Sequence, residues 1–451
     1  MKFANVYSNT ISLKKEYEYV IIGSGVSGIT AGIEMILANK SFHIFEKRAT
    51  NGGCWNDALD TSELQTDKRF YTLYGVDYPI NTSTFPTKQD MLTYFNTAIK
   101  YYKLDEHISY NVTVDINKNQ FRNTIDRNWK LNLETKTRTD TIYSKHILFC
   151  GGRNNVSHYP NVSHISKVKN NTTSIHAVDF DKFSKTYDFR NKKIMIIGNG
   201  ATGCDILKYL NNKLELDTNT NTNTNTEITM LYKSPKFYIK KQLLGLSGAK
   251  LLSNKFLKLV ENCSLRVNHI LILLVNIILF NMYLDIPYSK INSSNIVGST
   301  IINDILKNNK NVFSYQNERL ETINNRLKIV TTDNTIYNDI DVVVFATGYS
   351  TDTPIQFKYL YKYIIPINEN YEIIERNIGF IGYHLSYNFI EYCRASVIWY
   401  LSINSKNKHT HTHTHTPFDI ENWVNTIKKR KNKTNRDFYD LTYELFEPIH
   451  L

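Results

Sequence analysis

Cysteine is scarce in this 451-residue sequence, and no two cysteines form a C-x-x-C pair. The five are scattered and odd in number: Cys54, Cys150, Cys204, Cys263 and Cys393. This pattern argues against a disulfide framework and a redox-active dithiol, and it favours a reducing compartment. The first residues also lack the basic and apolar leader of a secretory signal. We therefore expect a cytoplasmic protein.

An apolar run at residues 269–280 is shorter than the ~20 residues that cross a bilayer comfortably. We expect it to form a buried helix of an insertion near 240–285. Three alternatives are open: residues 267–284 could lie in a membrane surface, cap a substrate tunnel or span the membrane. A peripheral membrane contact is therefore one hypothesis for this segment.

Acidic residues are outnumbered, since 54 Lys and Arg face 42 Asp and Glu, for a net charge of +12. The excess is spread along the chain, and its dense cluster lies within residues 428–436. We interpret this cluster as a solvated face or tail, with a patch facing membrane or nucleic acid as the alternative. No nucleic-acid partner is expected.

Two glycine-rich turns carry the strongest signal. Residues 19–28 and 194–203 each read as a β-branched strand, a G-x-G-x-x-G turn and the start of a helix. The first glycine permits the tight turn, the second lets the backbone approach a pyrophosphate, and the third lets the helix pack on the strand. Two copies predict a protein that holds two dinucleotides and moves electrons between them. The candidate binding residues are Gly23, Ser24, Gly25, Val26, Ser27 and Gly28, then Gly198, Asn199, Gly200, Ala201, Thr202 and Gly203.

The two copies differ at the end of the strand that follows. In the first copy this strand ends in Glu46, the acid that the motif places on a ribose, and Lys47 comes next. In the second copy no acid stands there, and Lys233 and Ser234 follow the strand. A cation and a hydroxyl suit a 2′-phosphate, which an acid would repel. The sequence thus predicts an FAD- or NAD-type first site and an NADP-type second site.

Further short motifs follow in a definite order: fingerprint, acid, G-G-x-W, L-x-T-x, second fingerprint, cation-Ser and A-T-G-Y. In this order the sequence resembles the flavin-containing monooxygenases, the class B single-component flavoprotein monooxygenases, over residues 17–400. One more segment is similar to the end of that family's identifying stretch, F-x-G-x-x-x-H-x-x-x-Y/F. The residues that carry the resemblance are Asn51–Trp55, Leu64–Asp67, His176–Phe180, Ala346–Tyr349, Phe380–Tyr383 and Glu391–Ala395.

The resemblance implies an α/β fold with two Rossmann-like dinucleotide-binding domains, the NADP domain inserted into the FAD domain. We expect the FAD domain at 1–185 and 331–451 and the NADPH domain at 186–330. Such proteins pass a hydride from NADPH to FAD, capture dioxygen as a 4a-hydroperoxyflavin, and oxygenate a nucleophilic nitrogen or sulfur of a small molecule. No metal is expected. The further cofactor-binding residues that it implies are Gly53, Trp55, Thr66, Thr347 and Gly348.

Several positions depart from the family pattern. Asp67 stands where the family has an Asn near the flavin edge, and it is our candidate catalytic residue, which we expect burial to keep protonated as a donor. Asn170 and Thr172 replace a Phe and a Gly of the identifying stretch, Cys150 begins a turn that is A-T-G in the family, and Lys233 replaces an Arg. Three alternatives therefore stay open: a Baeyer–Villiger ketone monooxygenase, a flavin-dependent pyridine-nucleotide oxidoreductase such as a disulfide reductase, and a flavin-binding protein that does not oxygenate.

Overall fold

The structure is a computed structural model. It describes residues 14–115, 128–152, 156–160, 172–218, 225–233, 237–239, 241–243, 246–247, 296–298, 305, 312–323, 326–331, 340–350, 378–382 and 389–404. The segments 267–284 and 428–436 lie outside the described residues. Within the described part, no helix is both long and apolar enough to cross a membrane.

The first unit begins with a strand–turn–helix–strand and is completed by the last described elements of the chain. Short 3-10 turns at Gly53–Asn56, Lys68–Phe70 and Leu104–His107 connect its elements. Its elements are β1 (Glu16–Ile22), α1 (Val26–Leu37), β2 (Phe42–Glu46), α2 (Lys88–Tyr101), β3 (Ile108–Tyr110), β4 (Thr113–Asp115), β5 (Trp129–Glu134) and β6 (Thr139–Phe149). The connecting strand β7 (Val156–Ser157) follows.

The second unit repeats this plan. Its elements are β8 (Thr173–His176), α3 (Ala177–Ser184), β9 (Lys193–Ile197), α4 (Ala201–Thr218), β10 (Glu227–Tyr232), β11 (Phe237–Ile239), β12 (Gln242–Leu243), β13 (Leu246–Ser247), β14 (Ile296–Gly298), β15 (Val312–Ile323), β16 (Arg326–Thr331) and β17 (Val342–Phe345). The described chain ends with β18 (Tyr349–Ser350), β19 (Ile378–Phe380) and α5 (Phe389–Asn404).

Each unit is built on a largely parallel sheet. The first has the order β3-β2-β1-β6-β5-β4, with β19 added beside β6, and only β4 and β5 run antiparallel to their neighbours. The second has the order β16-β15-β10-β9-β17-β8. The central strands β1 and β9 are apolar runs buried between neighbours, as parallel strands covered on both faces require. The α/β fold with two Rossmann-like units is confirmed.

Sheet membership differs from the expected domain boundaries at two strands. β8 pairs with β17, and β17 pairs with β9, so both belong to the second sheet. The boundaries drawn at 185 and 331 had placed them in the first unit. The difference has a physical origin: β9 needs a parallel partner on its free side, and β17 supplies one, just as β6 does for β1. β19 and α5 then return to the first unit.

One buried and one partly buried histidine lie in the first unit. On β2, His43 is 5% exposed and its Nε2 lies 2.8 Å from Oγ of Ser109. On β6, the ring of His146 stacks on Tyr19 and its Nδ1 lies 3.1 Å from the Tyr400 hydroxyl. Burial disfavours the charged imidazole and lowers the pKa of each histidine to about 4. Both rings are therefore neutral in the folded protein at pH 7.

We expect the free energy of unfolding to fall as the pH drops from 6.5 to about 4. In this window the unfolded chain binds protons at these histidines that the folded chain does not bind, so stability rises with pH and is lost on acidification. His43→Gln keeps a side-chain partner for Ser109 but does not titrate. It should reduce the slope of unfolding free energy against pH by up to about 1.4 kcal/mol per unit. Urea unfolding at a series of pH values measures this slope.

His158→Gln is the matched control, because this side chain is exposed. Its slope should equal that of the unchanged protein. If His43→Gln also leaves the slope unchanged, His43 does not resist protonation in the folded state.

Candidate dinucleotide sites

In the first fingerprint, two of the glycines are required by the fold itself. Gly23 has a φ of +100° and donates its N–H to the carbonyl of Phe45 at 2.8 Å. A Cβ on Gly28 would lie 1.9 Å from the carbonyl oxygen of Gly23. The strand and the helix α1 therefore approach each other so closely that a side chain at position 28 cannot fit. This contact fixes where the helix begins.

Gly25 has a different environment. A Cβ there would meet Cα of Gly53 at 3.5 Å, an ordinary contact. Gly53 belongs to the G-G-x-W turn, which lies across the fingerprint loop, since the N–H of Gly52 donates to the carbonyl of Ser24 at 3.1 Å. The partly buried ring of Trp55 then packs against the core of the first unit. The protein thus leaves room at Gly25, beside the start of α1, where the motif predicts a pyrophosphate.

Glu46 lies 4% exposed at the end of β2. Its Oε2 accepts hydrogen bonds from the backbone N–H and the hydroxyl of Ser24, at 2.7 and 3.0 Å, and its Oε1 accepts from the N–H of Arg48 at 2.8 Å. Lys47, which follows, is exposed. Glu46 thereby joins the strand end to the fingerprint loop, and its contact with a ribose stays a prediction.

The second fingerprint repeats the backbone contacts of the first and third glycines. Gly198 has a φ of +114°, and a Cβ on Gly203 would lie 2.1 Å from the Gly198 carbonyl oxygen. A Cβ on Gly200 would have no protein atom within 4 Å among the described residues. The N–H of Gly198 donates to the carbonyl of Leu231 at 2.7 Å. The second unit therefore also holds open space at the middle glycine.

The same register identifies the counterpart of Glu46. Gly23 bonds the residue before Glu46, and Gly198 bonds the residue before Tyr232, so Tyr232 occupies the matching position. Lys233 follows it and is exposed, as Lys47 is in the first unit. Ser234 lies outside the described residues. The predicted lack of an acid at the second site is consistent with this geometry.

The two units also share the turn that follows a neighbour of the central strand, which is β6 in the first unit and β17 in the second. The N–H of Cys150 donates to Ile22 at 2.9 Å, and the N–H of Ala346 donates to Ile197 at 2.8 Å. Both turns end in a glycine of positive φ, Gly152 at +74° and Gly348 at +78°. Cys150 is thus the structural equivalent of Ala346, and the departure from A-T-G leaves the backbone bond in place.

The linker between the units is attached to this second turn. The hydroxyl of Thr347 donates to the carbonyl of His158, and Nε2 of His176 lies 3.1 Å from the carbonyl of Gly348. Nδ1 of His176 accepts from the N–H of Val178 at 3.2 Å and caps α3, so Nε2 carries the proton. The hydroxyl of Thr172, at a family glycine position, donates to Ile340 at 2.7 Å. Asn170 lies outside the described residues.

Asp67 does not match its expected state. The side chain is 1% exposed, and it accepts from the N–H of Arg69 at 3.0 Å and from Nε of Arg69 at 3.0 and 3.1 Å. A second guanidinium nitrogen of Arg69 also contacts Oδ2. A bidentate guanidinium stabilises a carboxylate, not a carboxylic acid. The expectation that burial keeps Asp67 as a protonated donor is therefore wrong.

One polar atom beside Asp67 was not found from the sequence. The side-chain oxygen Oε1 of Gln65 is buried and has no hydrogen-bond partner among the described residues. An unsatisfied buried acceptor is costly, and a ligand N–H would satisfy it. Gln65 occupies a variable place of L-x-T-x, between Leu64 and the predicted cofactor residue Thr66, so no sequence pattern pointed to it. This free acceptor on Gln65, together with the room at Gly25 and Gly200, indicates that the described residues are compatible with bound cofactors.

Comparison with known proteins gives the relationship. A family model described as FMO-like, flavin-binding monooxygenase-like, matches residues 16–382. The chain belongs to this family. The match runs from the first residue of β1 to Gly382, which follows β19, and so includes both fingerprints.

Curated relatives share a modest identity. The chain is 24% identical over 199 residues to the uncharacterized oxidoreductase CzcO of Bacillus subtilis, which covers 44% of this chain and 52% of that protein. It is 26% identical over 232 residues to the FAD-binding monooxygenase ktnD of Aspergillus niger, and the match covers 49% of this chain and 35% of that protein. For the FAD-containing monooxygenase EthA of Mycobacterium tuberculosis the values are 22% over 235 residues, covering 51% and 44%. The chain spans about half or less of the length of these relatives.

Solved structures support the fold. A flavin monooxygenase mutant from Stenotrophomonas maltophilia has a TM-score of 0.58 at 14% identity, covering 87% of this chain and 100% of that one. Tmm from Pelagibacter has a TM-score of 0.57 at 16% identity, covering 95% and 86%. OTEMO in complex with FAD and NADP has a TM-score of 0.55 at 19% identity, covering 74% and 71%. At these identities the likeness establishes the architecture.

The two kinds of glycine in the first fingerprint should separate cofactor binding from folding. Gly25→Ala should fold, because the nearest protein atom to its Cβ is 3.5 Å away. It should bind FAD about ten- to a hundredfold more weakly, since steric overlap with a pyrophosphate costs ~1–3 kcal/mol. Gly28→Ala should not fold, because its Cβ overlaps a backbone oxygen. Flavin absorbance per protein and thermal unfolding measure the two effects. Stoichiometric FAD in folded Gly25→Ala would contradict the assignment.

Proposed function

We propose that this protein is an FAD- and NADPH-dependent monooxygenase that oxygenates a nucleophilic nitrogen or sulfur of a small molecule. The observation that carries the proposal is the pair of matching cradles. In each unit a Cβ on an outer glycine of the fingerprint would overlap the protein's own backbone, whereas a Cβ on Gly25 would make only an ordinary contact with Gly53, and one on Gly200 would have no atom of the described residues within 4 Å. A chain with two such cradles can hold an electron donor and an electron acceptor together.

FAD fits the first unit. The start of α1 and the space at Gly25 suit its pyrophosphate, the buried carboxylate of Glu46 suits a ribose hydroxyl, and the crossing turn at Gly52 and Gly53 covers this region. When bound, FAD supplies hydride acceptance and the activation of dioxygen. The protein's own residues bind and orient it and limit the access of water.

NADPH fits the second unit. Tyr232 occupies the position at which NAD-type sites have an acid, and exposed Lys233 follows it with Ser234 next in the sequence. An ammonium and a hydroxyl favour the 2′-phosphate, which a carboxylate at Tyr232 would repel. We assign these residues to the selection of NADPH over NADH.

The overall reaction consumes one NADPH, one proton, one dioxygen and one substrate, and it gives NADP⁺, water and the substrate with one added oxygen atom. No acid–base pair on the protein is needed for the balance, because the flavin carries the electrons. The buried carboxylate of Asp67 carries a negative charge within the L-x-T-x segment, and the exposed guanidinium of Arg69 pairs with it. We propose that this charge orients a bound group and does not donate a proton.

A three-arm substrate panel tests the proposed function. The FAD-loaded protein would receive NADPH and ¹⁸O₂ with a thioether, with N,N-dimethylaniline or with a cyclic ketone. We expect one ¹⁸O atom in a sulfoxide or an N-oxide and none in the product of the ketone arm. Mass spectrometry measures the incorporated oxygen, and the hydrogen peroxide released in each arm is measured separately. Gly200→Ala is the matched control, because it should fold but bind NADPH poorly.

Two results would overturn this assignment. A lactone from the ketone arm would establish the Baeyer–Villiger reaction instead. NADPH consumption that yields only hydrogen peroxide in every arm would indicate an oxidoreductase that does not oxygenate.

The preference for NADPH should depend on Lys233. A charged hydrogen bond to the 2′-phosphate is worth about 1.5–3 kcal/mol. Lys233→Ala should therefore lower the ratio of NADPH to NADH affinity about ten- to a hundredfold. Lys47→Ala, at the matching position of the first unit, should leave this ratio unchanged. Fluorescence titration of both nucleotides measures it, and an unaltered ratio in Lys233→Ala would assign the phosphate to another cation.

A further inference from the structure

A short segment of the first unit is seated on the second unit. The side chain of Leu59 is 3% exposed and belongs to the apolar core of the second unit, beside Phe180 and Cys204. Three residues later, the hydroxyl of Ser62 donates to Oδ2 of Asp205 at 2.7 Å. Asp205 lies near the start of α4, the helix that follows the second fingerprint. The segment therefore connects the G-G-x-W turn of one unit to the dinucleotide helix of the other.

Lys241 reaches back in the opposite direction. It follows β11 in the second unit, yet the contacts of its ammonium group are with residues of the first. Nζ lies 3.0 Å from Oε2 of Glu63, 3.1 Å from the carbonyl oxygen of Leu64, and 5.1 Å from the centre of the Phe85 ring. Its side chain is 12% exposed. A mostly buried ammonium with a carboxylate, a carbonyl and an aromatic face has its charge well satisfied.

The environment of Asp205 supports the same arrangement. Burial raises the pKa of its carboxyl group, while the Ser62 hydroxyl and the charge of Lys241 act against that rise. Both ends of the segment Ser62–Leu64 are thus bound to charged groups of the second unit. By contrast, Lys185 at the same junction pairs with Asp60 at 2.9 Å, but both side chains are more than half exposed. Such an exposed pair contributes little.

The residues that Lys241 holds lie directly before the candidate site. Leu64, whose carbonyl it binds, begins the L-x-T-x segment. Gln65 follows with its buried acceptor, and Asp67 follows with its ion pair. A displacement of Leu64 would therefore move the side chains of Gln65 and Asp67. Shifts of about 1 Å in such positions can change a rate a hundredfold.

We propose that Lys241 is a positioning residue that clamps Glu63 and Leu64 and so fixes the L-x-T-x segment relative to the second dinucleotide unit. This inference rests on the proposed function, since it assigns to Lys241 the alignment of NADPH with FAD for hydride transfer. The clamp acts through Leu64 and touches neither cofactor.

The experiment compares Lys241→Met, Lys241→Arg, Glu63→Gln and the double variant of Lys241→Met with Glu63→Gln. Methionine keeps the apolar packing on Phe85 but removes the charge. Without oxygen and at saturating NADPH, we expect the flavin of Lys241→Met to be reduced about ten- to a hundredfold more slowly than that of the unchanged protein. The affinity for FAD should be unchanged. Arginine should restore most of the rate. The double variant should be no slower than Lys241→Met, because the two residues act as one unit.

A second readout does not depend on catalysis. Hydrogen–deuterium exchange of the amides in residues 62–68 should be faster in FAD-loaded Lys241→Met than in the unchanged protein. Lys185→Met is the matched control from the same junction, and it should alter neither the exchange nor the rate.

The outcomes separate the two ideas. If Lys241→Met lowers only the thermal stability, with exchange and reduction rate unchanged, the positioning role is overturned. The clamp with Glu63 is overturned if the rate of Lys241→Met falls, Lys241→Arg does not restore it, and the effects of Lys241→Met and Glu63→Gln add in the double variant. If the unchanged protein is not reduced by NADPH at all, the proposed function fails, while the exchange measurement still decides whether Lys241 fixes the segment.

Discussion

The structure depends on one close contact that occurs twice: the start of a helix lies against the carbonyl oxygen of the first glycine in its own turn. At Gly28 and at Gly203 a Cβ would lie about 2 Å from that oxygen, a distance far inside any ordinary contact. The contact directs the N-terminus of the helix along the end of the central strand. Every other part of the site is placed relative to that end, including the crossing turn, the acid at Glu46 and the turn at Ala346. At the middle glycine, by contrast, a Cβ would meet no overlapping atom of the described residues, since Gly25 has Gly53 at 3.5 Å and Gly200 has nothing within 4 Å.

The two units share this backbone and differ in the side chains around it. Glu46 is buried and bonded to the first fingerprint loop, whereas Tyr232 stands at the matching place in the second. Similar backbones thus carry different side chains, in line with the general rule that function resides in sites built on a fold. Electron transfer then needs the units to be held in one orientation. Leu59, Ser62 and Lys241 supply contacts across that junction, and none of them belongs to a fingerprint.

Local patterns in the sequence predicted the features that depend on residues close together in the chain, namely the turns and the central strands. The glycine spacing gave both turns, and the β-branched runs gave the central strands, because steric limits on a turn act within a few residues. The state of Asp67 was not predictable in this way: burial alone favours the protonated form, and only the folded chain shows Arg69 placed across both oxygens. Local patterns also do not predict which strand β17 pairs with, since its pairing with β9 joins residues far apart in sequence. Lys241 had no motif to mark it, and its contacts with Glu63 exist only because two units meet there.

The departures from the family pattern fall mainly at positions where main-chain atoms make the contacts. Cys150 replaces the alanine of the turn, yet its N–H still donates to Ile22 as that of Ala346 does to Ile197. Thr172 replaces a glycine, and its hydroxyl gains a bond to the carbonyl of Ile340 that a glycine could not make. A side chain can change at such a position when the new one is buried or bonded without moving the main chain. Asp67 is the exception, because its substitution introduces a charge, and this charge is retained in the buried site through a guanidinium two residues away. The contacts with main-chain carbonyls at Cys150 and Thr172 are therefore made although the side chains there differ from the family pattern.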